Sequence, residues 1–283
     1  MSPDILFLVL TLTGVGALAG FSAGLFGIGG GAVIVPALYY AFTTLGYPES
    51  VTMHMAVGTS AAVIVVNAVR SVKAHHAHGA VDWNLLWPRQ GLKSLIQSYG
   101  IWIAIGSFIA STFIAVKLSG TALTLLFAVM AAFISLQFIF GRPNFTLRSN
   151  VPKGVFPPFV GSGIGGLSAL MGIGGGSITV PLMAMCNVPI HRAIATASGF
   201  GFAIALPACV GFIISGYNTP NRPIYSIGYV NVLGFAFIAF LAFFTIPLGA
   251  KLAHKLSQRR LKRVFGICLL LVAMNMGRKI WLT

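Results

Sequence analysis

The sequence predicts an all-α polytopic membrane protein built from two inverted five-segment repeats, each with a glycine-interrupted helix. Three observations predict it. The 283 residues are 57% hydrophobic and only 7% charged, against roughly 25% charged in an average soluble domain, and the mean hydropathy is +0.92. Apolar, nearly uncharged runs follow one another along the whole chain. The phrase Leu25-Phe-Gly-Ile-Gly-Gly-Gly-Ala-Val-Ile-Val-Pro36 returns as Leu170-Met-Gly-Ile-Gly-Gly-Gly-Ser-Ile-Thr-Val-Pro181, with eight positions identical.

The elements follow in order. The first run, Ile5–Phe26, has no Lys or Arg before it, the first being Arg70. It lacks the basic region of a secretory signal peptide and is expected to stay in the mature protein as a helix. Ala32–Leu45 follows the first glycine run, then Ala56–Val69, Leu95–Val116 and Ala122–Phe140. A connector at Pro143–Pro158 is marked by Arg142, Arg148 and Lys153. Beyond it come Val155–Met171, Ser177–Val188, Ala193–Gly216, Tyr229–Gly249 and Val264–Met276. A spanning helix needs about 20 apolar residues, and most runs reach that with their flanks. The two runs after the glycines are short, which leaves both full crossing and re-entrance open.

The repeat extends beyond the glycine phrase. His54-Met-Ala-Val-Gly-Thr59 matches His191-Arg-Ala-Ile-Ala-Thr196, and Lys117-Leu-Ser119 matches Lys255-Leu-Ser257. Residues 1–145 and 150–283 are therefore expected to be an N-terminal and a C-terminal transmembrane repeat. Their relative orientation can be scored, because Lys and Arg favour the cytoplasmic side. With five crossings per half the halves are inverted, both termini lie outside, and of the 18 basic residues only Lys117, Arg222, Arg278 and Lys279 fall on the outer side. With four crossings per half the charges divide almost evenly. The inverted arrangement is the better one.

The net charge of +15 does not point to nucleic acid, since the charges lie between apolar runs rather than on one face. Cys186, Cys209 and Cys268 sit in apolar stretches without paired spacing and read as small buried hydrophobes. The glycine runs lack the Lys-Ser/Thr ending of a phosphate-binding loop, and no strand–helix alternation with a following acid supports a dinucleotide fold.

What the glycine runs can do follows from backbone chemistry. Glycine costs about 1 kcal/mol per helical position relative to alanine, and Pro36 and Pro181 each remove an amide donor just beyond. A helix that begins there presents unpaired N–H groups and roughly half a positive charge of aligned dipoles. An anion fits such a place without a cationic side chain. Two of them brought together by inversion form a two-sided cradle, the arrangement found where transporters break helices in pairs. The expected substrate-binding residues are Gly27, Gly29, Gly30 and Gly31 in the first copy. In the second they are Gly172, Gly174, Gly175 and Gly176, with Ser177 as a hydroxyl donor. From the following helices come Thr59 and Ser60, and Thr196 and Ser198. Gly16, Gly20, Gly161 and Gly165, spaced by four, read as packing glycines that let the preceding helix lie against the break.

Only three acids exist, Asp4, Glu49 and Asp82, and none lies deep in an apolar run. Coupled carriers usually place ionisable residues there. A membrane potential is worth about 2.3 kcal/mol per charge per 100 mV and drives anions out of a negative interior without a coupling ion, so an acid-free site suits an exporter. His54 and His191 read as interfacial residues near helix starts. His75, His76 and His78 read as part of a basic loop with Arg70 and Lys73. No metal, cofactor or catalytic residue is expected, and an intramembrane enzyme has only that histidine loop to draw on.

The duplicated G-I-G-G-G-x-x-x-V-P phrase, with H-x-A-[VI]-x-T one helix later, resembles the sulfite exporter TauE/SafE family, which includes the YfcA-like proteins. The resemblance covers nearly the whole chain. It implies a multi-pass permease of the cell inner (plasma) membrane, moving small sulfur-containing anions such as sulfite or organosulfonates such as sulfoacetate. Family members are commonly described with about eight helices, fewer than the ten segments found in this sequence. An anion channel or facilitator for a different small organic anion is the competing reading. The partners expected are a small anionic sulfur compound and the lipid bilayer, with no nucleic acid.

Overall fold

The computed structural model describes residues 3–26, 29–77, 79–87, 91, 97–141, 150–152, 156–220, 223, 225–253 and 258–282. Its helices are α1 (Pro3–Phe26), α2 (Gly31–Thr44), α3 (Glu49–His76), the single turn α4 (Trp83–Leu86), α5 (Tyr99–Lys117, ending in π and 3-10 turns) and α6 (Gly120–Phe140). After the connector come α7 (Ser162–Met171, entered through a π turn at Pro157–Gly161), α8 (Gly176–Met185) and α9 (Ile190–Gly216). A two-residue-strand hairpin, β1 (Ser226–Ile227) with β2 (Val230–Asn231), precedes α10 (Val232–Ala253) and α11 (Gln258–Leu282). Among the described residues, α3, α5, α6, α9 and α10 are long and apolar enough to cross a membrane. The chain is an all-α polytopic membrane protein.

α2 and α8 have 14 and 10 residues, short of the about 20 a full crossing needs. Each begins at a glycine run, and each carries its proline as the sixth residue, Pro36 and Pro181. A proline there cannot donate to the carbonyl four residues back, which leaves the Ala32 and Ser177 carbonyls without their usual partner.

The helices pair across the two halves of the chain. α1 packs most extensively on α10 and α7 on α5, so the first long helix of each half lies on the fourth helix of the other half. α3 packs on α9 and α6 on α11. Glycine sets the closeness of the first two contacts. A Cβ at Gly16, Gly20 or Gly24 would strike Leu241, Ala242 or Ile246 of α10, and one at Gly161 or Gly165 would strike Trp102 or Ile103 of α5. Small residues are what lets membrane helices approach this far. The sequence expectation of packing glycines is met, with one correction: their partner is a helix from the other half, not the adjacent break. The reason is that the break turns back toward the chain's own centre while the outer face of α1 remains to be covered.

Direction can be read from these contacts. Gly16 meets Leu241 and Gly24 meets Ile246, so α1 and α10 run parallel. Gly58 meets Phe212, Gly201 meets Ala68, and Ser71 bonds Ser198 at 2.9 Å, so α3 and α9 run antiparallel and cross near the middle of both. These two helices carry the matching His-x-Ala-x-x-Thr motifs. α3 opens on Glu49 and ends on Lys73, His75 and His76, charges that complement the helix dipole at each end. One apolar core joins α1, α2, α3, α6, α10 and α11; a second joins α5, α7, α8 and α9.

Candidate functional site

Both glycine runs leave the helix at the centre of the bundle. Gly29 and Gly30 have φ of 74° and 83°, and Gly172 and Gly174 have 60° and 80°. Those left-handed values are accessible to glycine and costly for other residues, which explains why the phrase is written in glycine. Gly31 and Gly175 are needed for space instead. Gly29 packs on Ile64 of α3, and Gly175 packs on Phe200, Gly201 and Ile204 of α9. Both breaks thus lie at the height where α3 and α9 cross.

The breaks also touch each other. A Cβ on Gly31 would fall on the Gly172 carbonyl and the Ile173 Cα. From this meeting point α2 runs toward the Glu49 end of α3, whereas α8 runs toward the Ile190 end of α9. The Gly30 carbonyl accepts from the Val33 and Ile34 amides, and the Gly175 carbonyl from those of Ile178 and Thr179. That leaves the amides of Gly31 and Ala32, and of Gly176 and Ser177, without an intrahelical acceptor. No side chain caps either helix.

The polar side chains around the breaks come from α3 and α8. Ser60 donates its hydroxyl to the Gly172 carbonyl at 2.8 Å, a bond from one half of the chain to the break of the other. Ser177 reaches the Gly174 carbonyl at 3.4 Å, and Thr179 the Gly175 carbonyl at 2.7 Å. Asn67, wholly buried, donates from Nδ2 to the Gly29 carbonyl at 3.1 Å. Its Oδ1 is buried and has no partner among the described residues.

Thr59 and Thr196 have a matched task. The Thr59 hydroxyl oxygen accepts the Asn231 amide at 2.9 Å, and the Thr196 oxygen accepts the Asp82 amide at 3.0 Å. Each threonine holds the loop that precedes the fourth long helix of the opposite half. The loops match as well: Gly79-Ala80-Val81-Asp82 and Gly228-Tyr229-Val230-Asn231. Gly79 and Gly228 both take positive φ, 64° and 56°. The Asp82 carboxylate accepts the Asn84 amide, and the Asn231 side chain accepts that of Gly234, each starting a helix. Asp82 adds an ion pair to Arg192 at 3.1 Å.

Of the residues the sequence proposed, the structure brings Gly29, Gly30, Gly31, Ser60, Gly172, Gly174, Gly175, Gly176 and Ser177 together. Gly27 lies outside the described residues, as does His78. The Thr59 and Thr196 oxygens accept amides of the loops that end at Asn231 and Asp82, and Ser198 pairs with Ser71. His191 is exposed as expected, but His54 is buried: its Nε2 donates to the Ala115 carbonyl at 3.0 Å, and its ring stacks on Tyr229. It is enclosed because the 229 hairpin and the end of α5 close over the start of α3. Sequence reasoning missed the paired G-x-V-[DN] loops, although their repetition was a signal.

A cavity of about 230 Å³ opens between α5, α7, α8 and α9, with Tyr99, Ile103, Ile164, Met183 and Phe200 among its walls. Its apolar lining offers nothing to an anion. The described residues of both breaks are buried, so this conformation is closed around them.

The sequence was compared with known proteins. The family model described as Sulfite exporter TauE/SafE matches residues 12–276. A protein of Haemophilus influenzae named "Probable membrane transporter protein" is 35% identical over 96% of this chain and 99% of its own. One of Methanocaldococcus jannaschii with the same description is 32% identical over 92% and 91%, and one of Bacillus subtilis is 28% identical over 94% and 95%. No solved structure matches the chain. A duplicated glycine break inside a polytopic helical bundle, matched by the family along nearly its full length, identifies the chain as a multi-pass membrane transporter belonging to the sulfite exporter TauE/SafE family.

Proposed function

We propose that this transporter exports small sulfur-containing anions, sulfite or organosulfonates such as sulfoacetate, across the cell inner membrane. The anion is held between the N-termini of α2 and α8. The observation that carries this reading is that the uncapped start of α2 at Gly31 touches the second break at Gly172 and Ile173, just ahead of the uncapped start of α8 at Gly176, at the height where α3 and α9 cross. Unpaired amides and converging helix dipoles stabilise negative charge where water is excluded. Compact oxyanions can accept from several such donors at once.

The halves, residues 1–145 and 150–283, act as inverted repeats in this reading. Support comes from the antiparallel course of α3 and α9, which carry the same motif, and from the crosswise pairing of α1 with α10 and α7 with α5. Access would alternate between the loop held by Thr59 and the loop held by Thr196. Burial of both breaks favours such a carrier over an open channel.

The test is efflux of radiolabelled sulfite from proteoliposomes with an imposed potential. The reading predicts saturable efflux that speeds up when the interior is made negative, by a driving force of about 2.3 kcal/mol per charge per 100 mV. Zwitterionic taurine should respond weakly to voltage. A proton-coupled flux that persists unchanged at zero potential would contradict the export mechanism.

A further inference from the structure

We propose that the ligand held at the breaks carries a hydrogen-bond donor beside its negative charge, and that Asn67 Oδ1 receives that donor. The inference rests on the anion reading above and narrows it. Hydrogen sulfite and hydroxyl- or amino-bearing sulfonates fit. Donor-free anions such as sulfate do not. Of the two substrates proposed above, sulfite, as hydrogen sulfite, is selected over sulfoacetate, which fits only with its carboxylic acid protonated.

The argument starts from the amide of Asn67. Its Nδ2 donates to the Gly29 carbonyl at 3.1 Å, and that bond fixes which way the amide faces. Turned over, Oδ1 would confront the carbonyl oxygen, acceptor against acceptor. Oδ1 is therefore the free atom, buried and, among the described residues, without a partner. It lies within one amide's width of the first break, beside the uncapped start of α2. A buried amide oxygen left unpaired destabilises the fold unless something donates to it. Backbone amides at the same break serve the negative end of a ligand, so the neighbouring acceptor selects for a proton on that ligand.

The second half of the chain shows that this acceptor is one-sided. Setting His54 on His191 places Asn67 opposite Ile204, whose Cδ1 fills the space beside Gly175. The Ile204 carbonyl is taken by the Ser107 hydroxyl at 2.6 Å. One wall of the site is thus an acceptor and the other an aliphatic plug. A ligand with a single donor has one preferred orientation between them.

The experiment uses matched sulfonates as competitors of radiolabelled sulfite counterflow in proteoliposomes containing the full chain. The probes are ethanesulfonate, 2-hydroxyethanesulfonate and, as a control for size, 1-propanesulfonate. We expect the hydroxylated compound to compete on the order of tenfold better than ethanesulfonate, with propanesulfonate tracking ethanesulfonate. Asn67→Leu removes that preference and brings the ratio to about one. Should Asn67→Leu not fold, Asn67→Ser, whose hydroxyl replaces the long amide, carries the same comparison. Equal competition by all three sulfonates in the unaltered protein overturns the inference while leaving the anion site standing. A preference retained in a folded Asn67 variant also overturns it. So does counterflow that requires sodium and shows no preference, since Oδ1 would then serve a cation. If no sulfonate competes at all, the anion reading itself fails.

Discussion

The Ser60 hydroxyl bonds the Gly172 carbonyl at 2.8 Å, joining α3 of the N-terminal half to the break of the C-terminal half. The bond spans 112 residues of sequence and is wholly buried. It holds the carbonyl at the end of α7 that faces the start of α2 at Gly31, so the spacing between the two breaks depends on it.

Ser60→Ala removes that donor and leaves a buried carbonyl unsatisfied. The expected cost is about 1–3 kcal/mol of stability, seen as a lowered thermal midpoint in detergent. Counterflow should weaken more than stability does, because the helix starts lose their register. Ser71→Ala, which breaks a serine pair with no bond to either break, should lower stability with little effect on transport.

Alanine at Gly31 and at Gly175 should behave differently. The new methyl at Gly31 would overlap the backbone of Gly172 and Ile173, whereas at Gly175 its nearest neighbours are the Ile204 Cδ1 at 3.0 Å and the backbone of Gly201 and Phe200 at 3.1 and 3.2 Å. The first contact is a backbone overlap, and the second is a tight fit that small shifts relieve. Gly31→Ala is expected to cost about 1–3 kcal/mol through overpacking and to abolish counterflow. Gly175→Ala should fold normally and keep partial activity. Both outcomes are checked by thermal unfolding together with flux.

Thr59→Val and Thr196→Val each strand a loop amide. Thr59 serves the buried Asn231, while Thr196 serves the partly exposed Asp82. The first substitution should cost about 1–3 kcal/mol and the second less, since water can reach the Asp82 amide. Loosened loops should raise the labelling rate of a cysteine placed at Val230 in the first case and at Val81 in the second. Unchanged labelling in both would remove the loops from the transport cycle.

Asp82→Asn tests the ion pair at one of these loops. Arg192 and Asp82 are 54% and 24% exposed at their side chains, and an exposed pair of this kind contributes at most about 1 kcal/mol. The thermal midpoint should hardly move, and the asparagine should still accept the Asn84 amide. A large loss of stability would mean that the pair is buried in the working protein.

The fold class was legible because composition, apolar run length and a duplicated phrase all pointed the same way. The glycine positions of the site were legible too, since positive φ at Gly29, Gly30, Gly172 and Gly174 leaves few alternatives to glycine. The partners of those elements were not. Periodicity along α1 tells that Gly16 and Gly20 make a close contact, but nothing local says that α10 supplies it. The G-x-V-[DN] loops were hidden because the segment before Gly228 is longer than the one before Gly79, which throws the repeat out of register. Thr59 and Thr196 were expected to line the substrate site; in the structure their oxygens accept amides of those unseen loops. Asn67 was visible as an amide in an apolar helix, yet only coordinates show which of its two polar atoms is unpaired.

Crystallographic anomalous scattering from a selenium oxyanion, selenite soaked into the protein, tests the anion site most directly. The account predicts a selenium peak within hydrogen-bonding distance of the Gly31–Ala32 or Gly176–Ser177 amides. A peak confined to the basic end of the bundle, with nothing between the two breaks, would contradict it.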